Sequence, residues 1–189
     1  KKRKVKYLCG HDEKHWFVAG IPDRDPVSNV MDAMNSLRPK EIKKESLKLK
    51  IFKSMNKLRK NKSYVRQGEW FFVPVQIDVD ERFIHRKEPL SRGRGSKPHI
   101  CDEVYRTGGE TVYVHSQYAP SGVTEFTYKK LRKEHGNAGW TTMTRNAAVY
   151  ARGSVHHPDH KVIRLGSWHQ VFMNREDKST AGASITFLD

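Results

Sequence analysis

The stretch Asn146–Asn174, NAAVYARGSVHHPDHKVIRLGSWHQVFMN, combines the densest β pattern of the chain with its densest group of histidines. Apolar or small residues alternate with polar ones through Val149–His156, the period of two that is typical of a half-buried strand. Pro158–Asp159 suits a turn, and Gly166–Ser167 suits a second tight turn between two further strands. The stretch therefore predicts three antiparallel strands in a meander.

Two helices are predicted before this sheet. Asp25–Pro26 has the residues of a helix start, and apolar residues at helical spacing continue to Pro39. A second helix is predicted from Lys40 to Asn61, with an apolar stripe at Leu47, Ile51, Met55 and Leu58 and lysines on the other face. Thr124 and Gly136 flank a predicted third, basic helix. The predicted class is α+β, with two N-terminal helices packed on an antiparallel sheet or meander and with long basic loops.

Length and charge limit the possible functions. The 189 residues predict a basic arm over residues 1–6 and one α+β domain over residues 7–189. The 36 Lys and Arg against 21 Asp and Glu give a net charge of +15, which attracts polyanions, most commonly nucleic acid. No apolar run has the roughly 20 residues of a membrane span, so a membrane partner is not expected. Two cysteines are too few for a disulfide framework and favour a reducing, intracellular compartment.

The basic run KKRKVK at Lys1–Lys6 resembles the end of a short nuclear localisation signal. As a native signal it predicts a nuclear protein, and otherwise the prediction is cytoplasmic. An artificial extension, or an arm that touches phosphate, explains the same residues.

Phosphate contacts are predicted for this arm, for the Lys-rich second helix and for a long basic loop over His85–His99. Two aromatic residues flanked by polar or small neighbours are predicted to stack on bases. The predicted nucleic-acid contacts are Lys1, Lys2, Arg3, Lys4, Lys50, Lys53, Lys57, Lys60, Arg92, Arg94, Lys97, Tyr118, Trp140 and Arg152.

Two groups of residues suggest metal chemistry. Cys9 with His11, and His99 with Cys101, are pairs with one intervening residue, which together offer the four ligands of a structural zinc site. Their spacing departs from the two to four intervening residues of usual zinc knuckles, so two unconnected thiols and surface histidines are the simpler interpretation.

The second group lies in the opening stretch and comprises His156, His157, Asp159, His160 and His169. Such a group can bind zinc or magnesium and activate water against a phosphodiester, or act as a general acid and base without metal. It resembles the histidine-bearing hairpin of HNH nucleases, although the helix with the later ligand is missing here. A polar turn that contacts phosphate is the alternative.

These features predict a nucleic-acid-binding protein, either free-standing or a subunit of a nucleoprotein assembly. The alternative is a nucleic-acid-processing enzyme, a nuclease or modifying enzyme, with its centre at residues 156–169. A protein-interaction module is a third class. The sequence leaves open DNA or RNA, and single or double strands.

Overall fold

The structure, a computed structural model, describes residues 5–23, 25–51, 59–92 and 96–176. It is mostly β, with 50% of the residues in strands, and the described residues contain three α-helices and twelve strands in three sheets. The predicted α+β class with two N-terminal helices packed on a sheet is therefore wrong. A large antiparallel sheet dominates instead, and the helices are short additions to it.

The elements follow one another in this order along the described chain. They are β1 (Tyr7–Asp12), β2 (His15–Gly20), α1 (Val30–Ser36), α2 (Lys40–Lys48), β3 (Lys60–Asn61), β4 (Tyr64–Gln67), β5 (Trp70–Pro74), a 3₁₀ turn (Glu81–Phe83), β6 (Ile84–Leu90), β7 (His99–Thr107), β8 (Glu110–His115), β9 (Ala119–Val123), α3 (Glu125–His135), β10 (Trp140–Arg145), β11 (Ala148–His157) and β12 (His160–Met173).

The chain divides into two compact units. The first contains the described residues up to Tyr105 and from Val149 onward, and the second contains Arg106–Ala148. The first unit holds the seven-stranded sheet β3-β4-β5-β12-β11-β7-β6 and the two-stranded sheet β1-β2. The second holds the three-stranded sheet β10-β8-β9 together with α3, whose predicted bounds at Thr124 and Gly136 are confirmed.

Strand β5 organises the core of the first unit because it is buried on both faces. Trp70 and Phe72 belong to one apolar cluster, whereas Phe71 and Val73 belong to a second cluster with Ile42 of α2. The side chains of a strand alternate between its faces, so an almost continuous apolar run is what a central strand requires. Pro74 ends β5 and is exposed. Because proline has no backbone N–H to donate, a position at the strand end avoids the loss of a hydrogen bond within the sheet.

The second helix is shorter than predicted, and it buries a different face from the predicted one. It ends at Lys48, and Leu47, which was assigned to its apolar stripe, is 79% exposed. Ile42 and Ser46 are buried instead, because they share the face that packs on the sheet. Ile51 lies beyond the helix, and Met55 and Leu58 lie outside the described residues.

The first predicted helix begins later than expected. Asn29 is its N-cap and accepts a hydrogen bond from the Asp32 amide at 2.9 Å. Asp25, the predicted cap, accepts from the Ser36 hydroxyl at 2.7 Å instead.

No helix among the described residues is long and apolar enough to cross a membrane.

The predicted meander is a single long hairpin of β11 and β12. Ala151 pairs with His169 and Gly153 with Leu165, so two steps along β11 match four along β12. The two extra residues form a bulge that contains Gly166–Ser167, which the sequence analysis assigned to a turn. The residues that favour a tight turn also favour a bulge, and continued pairing with β5 keeps β12 in one strand.

The predicted loop over His85–His99 is also shortened, because Ile84–Leu90 forms the edge strand β6. An edge strand tolerates Pro89 and its charged neighbours, which are common protections against pairing with other chains.

Gly153 has φ of 87°, and a Cβ there would lie 2.8 Å from the Asp102 Cβ. We expect Gly153→Ala to lower the free energy of unfolding by about 1–3 kcal/mol, since it adds backbone strain and a clash. Chemical denaturation measures this loss. Gly166→Ala is the matched control, because a Cβ there meets nothing within 4 Å, and equal losses in both variants would contradict the assignment.

Candidate metal centre

Three histidines from separate strand ends converge at one end of the large sheet. His99 begins β7, His157 ends β11 and His160 begins β12. His157 and His160 are cross-strand partners next to the β11–β12 turn, and β7 is the other neighbour of β11. We call these three residues the His cluster.

The rings of the His cluster lie almost parallel. The ring centroids of His99 and His157 are 4.2 Å apart, those of His157 and His160 are 4.5 Å apart, and those of His99 and His160 are 5.6 Å apart. One nitrogen from each ring lies within 4.8 Å of the other two. Such proximity of three nitrogen ligands is suited to a divalent transition metal.

His99 is the most buried member, with 1% of its surface exposed. Neither of its ring nitrogens has a hydrogen-bond partner among the described residues. Burial, followed by the neighbouring charges of His157 and His160, lowers the pKa of His99 to about 3. The ring is therefore neutral near pH 7, which is the form that ligates metals, and its unpaired nitrogens are costly without a ligand.

Gly68, in the turn between β4 and β5, makes room for this convergence. Its φ is 56°, and a Cβ there would lie 3.0 Å from His160 Nε2 and 3.2 Å from His99 Nε2. Both Nε2 atoms therefore face the same small space. Buried Gln67 fixes the turn beside them, because its side-chain amide donates to the Lys161 carbonyl at 2.7 Å.

Two carboxylates of the β1–β2 turn approach the other nitrogen of His160. His160 Nδ1 lies 3.8 Å from Glu13 Oε2 and 3.9 Å from Asp12 Oδ2. Arg59 binds both carboxylates, and the Lys161 amide donates to Glu13 Oε2 at 2.8 Å. Although burial raises the pKa of Glu13, Lys161, Arg59 and His160 together hold it below its ordinary value. The negative charge of the two carboxylates favours the tautomer of His160 that carries its proton on Nδ1. This tautomer leaves Nε2 as the ligand atom.

His157 is oriented by its own turn. Its Nδ1 accepts a hydrogen bond from the Asp159 amide at 3.1 Å, which places the proton of the neutral ring on Nε2. Burial and the charge of His160 lower its pKa, against an opposing backbone hydrogen bond with Lys97. A metal at Nε2 would shift the ring proton to Nδ1, so the hydrogen bond from the Asp159 amide would have to break.

A pocket of about 340 Å³ opens beside the His cluster. His157 and His160 line it, together with the charged residues Asp12, Glu69, Asp159, Glu176, Arg59, Arg66 and Arg92. Arg92 is paired with Glu176, and the Arg66 Nε donates to the Gly68 carbonyl at 2.7 Å. The pocket thus gives a small molecule or one segment of a polymer access to the cluster.

The predicted catalytic group is only partly brought together. His156 is exposed, and His169 is buried elsewhere with its Nδ1 2.7 Å from the Ser167 carbonyl oxygen. Asp159 pairs with Lys97 at 2.7 Å and with His15 at 3.3 Å. Its hydrogen bond with Lys97 is the main cause that lowers its pKa to about 2. Asp159 therefore ties the turn to neighbouring segments.

The structure does not assemble Cys9, His11, His99 and Cys101 into one site. Cys9 is exposed, whereas Cys101 lies in the apolar core. The His11 ring makes a T-shaped pair with the Trp16 ring, with the two centroids 5.3 Å apart. Only His99 of these four belongs to a group of ligand atoms.

The predicted phosphate contacts are dispersed. Lys50 and Lys60 are exposed, whereas Arg152 donates to Glu103 at 2.6 Å and lies over the Trp168 ring. Arg92 and Lys97 are the two that reach the surroundings of the His cluster. Lys1, Lys2, Arg3, Lys4, Lys53, Lys57 and Arg94 lie outside the described residues.

The two predicted stacking residues belong to an aromatic group in the second unit. Tyr118 is stacked on His135 at 4.0 Å and lies 4.6 Å from the His115 ring. Trp140 contacts His115 and Tyr128, and its Nε1 donates to the Gly136 carbonyl. Their rings are already engaged within the protein.

Asp12, Glu13 and Gly68 were not singled out from the sequence. The carboxylates follow a strand of a different sheet, and only the folded chain shows that they face His160. Nothing in the local sequence around Gly68 indicates which side chains would lie against it.

His99 supplies a prediction for the metal-free protein. An unfolded histidine has a pKa near 6.5, so between pH 6.5 and about pH 3 the unfolded chain binds a proton that folded His99 excludes. The free energy of unfolding should therefore fall as the pH drops through this window, by up to about 1.4 kcal/mol per pH unit from this residue.

Urea unfolding with a chelator from pH 4 to pH 7 measures that slope. His99→Leu should flatten it, whereas the control His156→Leu, at an exposed neighbouring strand position, should keep it. An unchanged slope in His99→Leu would show that His99 does not titrate as its burial requires.

Comparisons with known protein families, with curated proteins and with solved structures find no match to this chain.

Proposed function

We propose that this protein is a metal-dependent hydrolase that acts on nucleic acid, with the His cluster as its metal centre. The observation that carries the proposal is the convergence of three imidazoles, one of them fully buried with unpaired nitrogens, beside an open pocket. Nucleic acid is the proposed substrate because the chain has a net charge of +15.

The ligand set favours zinc or a similar transition metal over magnesium, because imidazole suits the former and carboxylate oxygens the latter. A tetrahedral zinc with bonds of about 2.0 Å places its ligand nitrogens about 3.3 Å apart. The present nitrogens lie within 4.8 Å, and the stacked rings would have to rotate before all three nitrogens could point at one ion. Only neutral imidazole binds a metal, so metal affinity should fall as the pH drops and protons compete for the ring nitrogens.

Three histidine ligands are typical of catalytic zinc sites, where the fourth position holds water, while structural sites usually have four protein ligands. The pocket beside His157 and His160 supports this open position. A metal held by His99, His157 and His160 would supply an activated water as the nucleophile. Attack of this water on phosphorus would form one P–O bond and break another, and the leaving oxygen would take up the proton that the water releases.

Cleavage and metal binding test the proposal together. Labelled single- and double-stranded DNA and RNA are incubated with the protein and Zn²⁺, Mn²⁺ or Mg²⁺, followed by denaturing gels, and bound metal is counted by mass spectrometry. We expect about one metal per chain and cut strands. His157→Ala and His160→Ala should each lower turnover by more than about 100-fold, since even supporting residues of metal sites contribute 10- to 100-fold.

His156→Ala is the matched control, because it removes an exposed histidine from the same end of β11 and should retain both metal and activity. Bound metal with intact strands would reduce the centre to a structural role in a nucleic-acid binder. A wild-type protein that takes up no metal would overturn the proposal.

The carboxylates near His160 give a separate prediction. Glu13→Gln keeps an oxygen that can accept from the Lys161 amide but removes the charge that orients His160. We expect zinc affinity to fall about 10- to 100-fold, which competition with a chromophoric chelator measures. Glu134→Gln, on α3 of the second unit, is the control. Equal affinities in the wild type and Glu13→Gln would exclude Glu13 as the residue that holds His160.

A further inference from the structure

The β1–β2 hairpin has an exposed aromatic surface that the His cluster does not use. Strand alternation and the pairs Cys9–Val18 and His11–Trp16 place these four side chains, with that of Tyr7, on one side of the hairpin. We call these five residues the outer face. Trp16 is 80% exposed, Val18 65% and Tyr7 50%.

We propose that the outer face binds unpaired bases of a single-stranded nucleic acid. The inference rests on the proposed function in one respect, because it names single strands as the substrate class of the His cluster. The binding step itself requires no metal.

The exposure of Trp16 supports a binding role. The planes of the Trp16 and His11 rings are 84° apart, so the two rings are not stacked in parallel. Exposed tryptophan beside valine and tyrosine is uncommon on a protein surface without a partner. Every base offers a flat π surface, so an open aromatic ring binds unpaired bases with little sequence preference.

Charge decides between a polyanion and other occupants. The outer face has no acidic residue, while the neighbouring Asp12 and Glu13 are bound to Arg59. The run KKRKVK directly precedes Tyr7 in the sequence. A second copy of the chain would bring two net charges of +15 together, whereas nucleic acid neutralises them. Bases are buried within a duplex, so single strands fit the aromatic surface better.

The hairpin that carries the outer face also borders the pocket of the His cluster. Trp16 and Val18 line that pocket along with His157 and His160. A strand held by its bases on the hairpin would therefore lie next to the pocket.

Fluorescence anisotropy tests the proposal, with labelled oligo-dT and oligo-rU and a duplex of equal length, in the presence of chelator. We expect the single strands to bind more tightly than the duplex, with affinity falling as salt rises. Trp16→Ala should weaken single-strand binding about 5- to 100-fold, and Trp16→Phe should restore most of it, because stacking on one aromatic ring is lost and regained.

Phe126→Ala is the matched control, since Phe126 is 84% exposed on α3 of the second unit and should not affect binding. Unchanged binding by Trp16→Ala, or an equal loss in Phe126→Ala, overturns the inference. Preference for the duplex also overturns it. Self-association of the wild type that Trp16→Ala abolishes would assign the face to a second copy.

His160→Ala separates this inference from the proposed function. If that variant binds single strands as the wild type does and the wild type cleaves nothing, the hydrolase fails while the outer face stands. If cleavage occurs but Trp16→Ala binds normally, only the outer face fails.

Discussion

The burial of the His99 imidazole is the constraint on which the His cluster depends. A buried ring with two unpaired nitrogens is unfavourable unless something binds them. The sheet encloses this ring between Trp70, whose ring contacts it edge-on, and the other two histidines. The same burial lowers the pKa of His99 and keeps its ring neutral, which is the form that can bind a metal. An exposed histidine would be partly protonated at acid pH.

The strands set the geometry of the centre, and the turns tune its chemistry. Three of its residues are strand ends of one sheet, so their backbone positions are fixed by ladder hydrogen bonds rather than by a mobile loop. Because Gly68 has no side chain, the Nε2 atoms of His99 and His160 can lie close to its backbone. Glu13 lies near the other ring nitrogen of His160, Nδ1. Strand-borne ligands with turn-borne supporting groups are a sound arrangement for a metal site, because each ring has little freedom to leave it.

The sequence predicted local patterns better than long-range placement. The alternation before His156 correctly indicated β11, but Gly166–Ser167 became a bulge because pairing with β5 continues past it. Leu47 was placed on the buried face of α2, although the sheet selects the face with Ile42. His99 is 58 positions from His157, and no local signal joins them, because only the order of strands makes β7 a neighbour of β11.

The hairpin and the centre are mechanically joined through their turns. The Lys14 ammonium donates to the Pro158 carbonyl at 2.9 Å, and His15 pairs with Asp159 at 3.3 Å. Glu13 reaches the Lys161 amide as well as the neighbourhood of His160. These are polar contacts at the rim rather than a shared apolar core, so each contributes modestly and responds to salt and pH. A ligand that shifted the β1–β2 turn would therefore also shift the Glu13 carboxylate near His160.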